Sequence, residues 1–176
     1  MKQFLTFLIT LCSLEIFAQG NQVLVAAGWS QRFHSGYEIG LRYERNFNNI
    51  ILGGGAHVSG RRITTSENLF ATSFFGTSGY HFVLENVELT PFVNVGYSFL
   101  NATARTPDEG RGVYLGGGAN ILYPLSKQVG LLGTLRYDCS WVRPYAQQRS
   151  QSVSDDEFLG YNFTTLFFGI GISYRL

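Results

Sequence analysis

FTTLFFGIGISYRL, residues 163–176, separates into two unlike faces when taken two residues at a time. Leu166, Phe168, Ile170, Ile172, Tyr174 and Leu176 form an apolar and aromatic face. Thr165, Gly169, Gly171, Ser173 and Arg175 form a small or polar one, with Phe167 as the exception. Successive Cβ atoms of a strand point to opposite sides of the pleat, so a period of two predicts a strand. Its length says where such a strand belongs. Soluble strands run about 5–6 residues, while a tilted strand crossing a bilayer needs roughly 9–11.

The same alternation recurs along the chain. Working back from residue 163, it predicts strands at Val23–Arg32, Tyr37–Phe47, Ile50–Gly60, Leu69–Phe82, Leu89–Phe99, Val113–Tyr123 and Val129–Trp141. With the last, that makes eight, and an even count is what antiparallel closure of a single-chain barrel requires. The connectors differ by side. Asn48-Asn49, Leu84–Val87 and Pro124-Leu125-Ser126 are tight, whereas Arg61–Asn68, Asn101–Gly110 and Arg143–Leu159 are long. Short periplasmic turns and long external loops produce that asymmetry, and they place both termini on the periplasmic side. The predicted fold is all-β: an eight-stranded antiparallel up-and-down transmembrane β-barrel spanning residues 19–176.

Composition agrees with a surface that does not face water. Charged residues are 14% of the 176-residue chain, against about 25% in soluble domains, and the only lysines are Lys2 and Lys127. A soluble all-β protein guards its exterior and edge strands with Lys and Glu. A soluble eight-stranded barrel of the lipocalin or avidin type would also reverse the polarity of the two faces. A net charge of +1 offers nothing to a nucleic acid.

Ahead of the strands, Met1-Lys2-Gln3 is a short basic start, Phe4–Leu14 an apolar run and Ala18 a small residue before Gln19. This predicts a secretory signal peptide over residues 1–18, cleaved after Ala18. Cys139 is then the sole cysteine of the mature chain, so no disulfide framework is expected.

The inner faces of the predicted strands collect Arg32, Glu38, Arg42, Glu44, Arg136 and Asp138. Charges in a narrow lumen must pair or be hydrated, because desolvating one alone is costly. These six are expected to form an interior salt-bridge network, with Arg32 opposite Glu38 and with Arg42 and Glu44 facing glycines. The triplets Gly53-Gly54-Gly55 and Gly116-Gly117-Gly118 lack the Lys-Ser/Thr of a phosphate loop and read as relief from luminal crowding. His57 and His81 are expected roughly 30 Å apart and His34 in an external turn, so the histidines share no metal. No metal, cofactor or catalytic residue is assigned. The external loops supply contact candidates: Arg61, Arg62, Arg105, Arg111, Tyr145, Arg149, Asp155, Asp156 and Glu157. Their arginines suit lipopolysaccharide phosphates, and an external protein ligand or a membrane complex is the further candidate partner.

The strand alternation and the terminal ISYRL resemble the small outer-membrane barrels: the OmpA transmembrane domain, OmpX and the opacity-type proteins. Phe168, Ile170, Ile172, Tyr174 and Leu176 are similar to the C-terminal assembly signal of that family, which more often ends in Phe. The resemblance implies a bacterial outer-membrane location, with outer-membrane lipids and lipopolysaccharide as surroundings. It leaves three functions: a structural or surface-interaction role, a narrow solute channel, and lipid A modification. Deacylases of this architecture carry His-x-Ser on a strand; His34-Ser35 has the wrong spacing, and an enzyme is not expected.

Overall fold

The computed structural model describes residues 20–31, 35–62, 68–102, 110–144 and 161–176; side chains at 35, 61–62, 68–69, 101–102, 143–144 and 161–163 are outside that description. The signal-peptide reading of residues 1–18 falls outside it too.

The strands are β1 (Asn21–Gln31), β2 (Ser35–Phe47), β3 (Ile50–Arg62), β4 (Asn68–Tyr80), β5 (Phe82–Leu84), β6 (Val87–Ala102), β7 (Gly110–Pro124), β8 (Val129–Pro144) and β9 (Tyr161–Arg175). β4 and β5 are one barrel strand interrupted at His81, since both pair with β6 in a single register, Gly79↔Phe92 and Phe82↔Leu89. The interruption has a local cause. That register sets Pro91 against Tyr80, and proline has no N–H to give the ladder. On the other side the His81 N–H continues the β3–β4 register, donating to the Asn49 carbonyl at 2.7 Å.

All neighbours pair antiparallel, and β1 closes on β9 from Gln22↔Arg175 to Gln31↔Leu166. The result is the eight-stranded closed up-and-down barrel that the alternation predicts. Closure leaves no strand with an unpaired edge, the condition for a sheet in hydrocarbon. Thirteen-residue strands such as β3, at about 3.3 Å per residue and tilted about 45°, span roughly 30 Å, the thickness of a bilayer core.

The turns at one end follow from their residues. Asn48 (φ 50°) and Asn49 (φ 73°) are both left-handed, as a type I′ hairpin turn requires and asparagine tolerates. At Leu125–Gln128 the Ser126 hydroxyl accepts the Gln128 and Val129 N–H groups, at 3.3 and 3.0 Å. Gly20 and Leu176 lie at this same end, bonded to Asn46 and Asn21 at 3.0 Å. The connectors at the other end are outside the described residues.

The outer surface is an apolar belt. Phe168, Ile170, Ile172, Tyr174 and Leu176 all face outward, Ile170 the most exposed of them at 75%. Trp29, Tyr37, Tyr97, Phe99 and Trp141 ring the belt toward the long-connector end, and Phe47, Tyr80, Phe82, Tyr123 and Tyr174 ring it toward the tight turns. Amphipathic aromatic rings at two levels are the pattern of a bilayer's two interfaces. The interior is less polar than alternation alone predicts. Leu24, Ile51, Phe75, Phe92, Leu132 and Phe167 are buried inside, among the charged residues.

Candidate functional site

Pairing register explains how large charged side chains fit in a lumen eight strands wide. β8 sets Arg136 opposite Gly118 and Asp138 opposite Gly116; β2 sets Arg42 opposite Gly55 and Glu44 opposite Gly53. The room is required. A Cβ at Gly116 would run into the Asp138 carboxylate and the Tyr114 hydroxyl.

The central layer joins Glu38 (β2), His57 (β3), Tyr114 (β7), Arg136 and Asp138 (β8). Arg136 donates through Nη2 to Glu38 Oε1 and through Nε to Asp138 Oδ1 and Oδ2, at 2.9 and 2.7 Å. The Tyr114 hydroxyl donates to Asp138 Oδ1 at 2.6 Å. The guanidinium lies over the Phe167 ring, 4.8 Å from its centroid. His57 packs edge-on to Tyr114 and tilted on Phe75, at 5.1 and 5.6 Å between ring centres. Its Nδ1 stands 3.8 Å from Glu38 Oε1, beyond hydrogen-bond reach, and has no hydrogen-bond partner. Excellent geometry is what allows such a network to offset its desolvation.

Toward the tight-turn end, Arg42 Nε pairs with Glu44 Oε1 at 2.7 Å and lies over the Phe92 ring at 4.3 Å. Gln22 donates to the other Glu44 oxygen at 2.8 Å. Leu24, Leu122 and Leu132 pack together across this part of the lumen. At the mouth, Arg175 pairs with Glu88, whose other oxygen is 3.6 Å from His81 Nε2. That mouth is a cavity of about 360 Å³ lined by Asn21, Gln22, Asn46, His81, Glu88 and Arg175 among others.

Toward the other end, hydroxyls replace charges. Ser73, Ser98 and Ser140 form a hydrogen-bonded chain, at 2.7 and 3.2 Å. With Ser59 and Thr165 they line a cavity of about 60 Å³ whose floor is Glu38, His57, Tyr114 and Asp138. A cavity of about 30 Å³ lies on the other side of that floor, against Leu24, Arg42 and Leu132. Each holds a few waters at most.

Of the six charges the sequence singled out, five are luminal. They divide into the Glu38–Arg136–Asp138 group and the Arg42–Glu44 pair; Arg32 is outside the described residues. One expectation is corrected: Glu38 pairs with Gly28, not Arg32, because β1 meets β2 with Ser30 opposite Gly36. His57 and Tyr114 were not assigned to the network. The tight Asn48-Asn49 turn held the signal for the histidine, since Phe47↔Ile50 carries through to Gly40↔His57, beside Glu38. The His-x-Ser spacing also occurs after all, as His57-Val58-Ser59 on β3, with both polar side chains facing the lumen. His57 sits in the central layer and His81 at the mouth, apart as expected. Arg111 is exposed at the start of β7, and Arg61 and Arg62 end β3 with side chains outside the description. His34, Arg105, Tyr145, Arg149, Asp155, Asp156 and Glu157 are outside the described residues.

No protein-family model matches the chain, and no curated protein matches it in sequence. Solved structures do match in fold. Neisserial surface protein A superposes with a TM-score of 0.71 at 12% identity, over 90% of this chain and 98% of that one. A major outer membrane protein from Thermus thermophilus superposes with a TM-score of 0.55 at 14% identity, over 90% of this chain and all of that one. The fold is that of the small outer-membrane β-barrels.

Proposed function

We propose that the protein is a non-catalytic integral protein of a bacterial outer membrane that acts through its external face, with a lumen closed to solutes. The fold and the apolar belt support the location, with the tight turns, Gly20 and Leu176 toward the periplasm. The observation that carries the closed lumen is its stratification. Three leucines and a five-residue polar network stack inside it, and the cavities on either side of that network are only about 30 and 60 Å³, with the cavity of about 360 Å³ confined to the tight-turn mouth. The working surface is then the set of external connectors with their arginines, facing lipopolysaccharide or a protein ligand.

Planar-bilayer recording of the refolded barrel tests this. Wild-type protein should give no discrete openings, and Arg136→Ala, which removes the cation that ties Glu38 to Asp138, should introduce small ones. Discrete wild-type openings that Arg136→Ala enlarges would establish the channel reading instead. The catalytic reading meets a physical obstacle: His57 and Ser59 face a cavity too small for an acyl chain. Expression should accordingly leave the lipid A mass spectrum unchanged, and a lost acyl chain would overturn the assignment.

A further inference from the structure

The central layer does not balance its charge. Glu38, Glu44 and Asp138 face Arg42 and Arg136, and the Arg42–Glu44 pair is self-contained. Arg136 is therefore shared between two acidic groups, one guanidinium against two. Beside it stands an imidazole nitrogen with no work to do. His57 is 5% exposed, its Nδ1 has no hydrogen-bond partner, and it points toward Glu38 Oε1. An unpartnered buried ring nitrogen is costly and calls for a specific cause.

One ligand atom each from Glu38, His57 and Asp138 lies within 4.8 Å of the other two. A tetrahedral cation bound at about 2.0–2.2 Å holds its ligand atoms roughly 3.3–3.6 Å apart, so side-chain adjustments of up to about 1 Å close the set. We propose that Glu38, His57 and Asp138 form a site for one divalent transition-metal cation. One imidazole nitrogen with two carboxylate oxygens suits Zn²⁺ or Co²⁺ and is a poor cage for Ca²⁺, which takes six to eight oxygens. Tyr114, donating to Asp138, orients that carboxylate from behind as outer-sphere donors do at metal sites. Toward the long-connector side, the hydroxyl-lined cavity has these three residues in its floor. Arg136 is the competitor, since it occupies the same carboxylates in the cation-free state.

The competition makes the test specific. The folded barrel in detergent is titrated with Co²⁺ alone, followed by its visible absorption, and then with Zn²⁺ as displacing ion. One saturable site is expected. His57→Gln should weaken it at least tenfold, and Arg136→Gln should tighten it several-fold by removing the rival cation. Heat-dependent migration in SDS gels shows that each variant has folded. A measurement on unmodified protein covers a variant that does not fold: Zn²⁺ should shift the ring resonances of His57 and leave those of His81 in place. Absence of a saturable site, binding unchanged by His57→Gln, or shifts confined to His81 would each overturn the assignment.

Discussion

Phe167 and Phe168 are adjacent on β9 and live in different solvents. Phe167 is 1% exposed and lies beneath the Arg136 guanidinium, while Phe168 is 50% exposed among Trp29 and Leu135 on the outer belt. The outer ring needs only to be apolar, because lipid chains accept any such shape. The inner ring has one permitted position, because it is held by a cation above it and by Gly169, whose missing Cβ leaves the ring its space. The two faces of one sheet thus obey different rules. Outside, character matters and identity is free; inside, identity matters.

Substitutions that violate each rule measure the difference. The largest effect belongs to the lumen: Arg136→Ala strands two buried carboxylates and should cost about 3–5 kcal/mol of unfolding free energy in lipid. A cost comparable to an ordinary surface change would show the network to be solvated. Next is the belt. Ile170→Arg places a charge near the bilayer midplane and should cost about 2–4 kcal/mol. Thr165→Arg, two residues past the Phe167 level and facing the hydroxyl-lined cavity, should cost clearly less, and equal costs would dissolve the assignment of faces. The smallest is Ser98→Ala, which removes the central hydroxyl of the Ser73–Ser98–Ser140 chain and should cost about 0.5–1.5 kcal/mol.

The same division explains what the sequence made legible. Alternation is a property of one strand, so the eight barrel strands and the outward set from Phe168 to Leu176 could be read directly, whereas the break at His81 that separates β4 from β5 could not. The strands nevertheless run further than alternation shows: β6 reaches from Val87 to Ala102, because pairing continues where side-chain contrast fades. Luminal contents belong to several strands at once. Glu38 meets Arg136 across the barrel only after every intervening register is set, and no local pattern encodes that sum. Buried Leu24, Phe75 and Phe92 blurred the polar face for a related reason. An eight-stranded barrel fills its interior with whatever volume fits, apolar or charged. Where a tight turn fixes register, more can be recovered, as with Gly40↔His57. Where the connector is longer, as before β2, the expected Arg32–Glu38 pairing failed by four residues along β1.

The seam between β1 and β9 also bears on time. It joins Gln22 to Arg175 and Trp29 to Phe168, so the first strand made waits for the last. Until then every partial sheet has two open edges, and each would leave its amide groups bare in hydrocarbon. The luminal network is equally late, because Glu38 comes from the second barrel strand and Arg136 from the seventh. Stepwise insertion, strand by strand, is therefore the costly path. The barrel should enter the bilayer as a nearly complete sheet whose closing, zipping and charge pairing occur in one cooperative event.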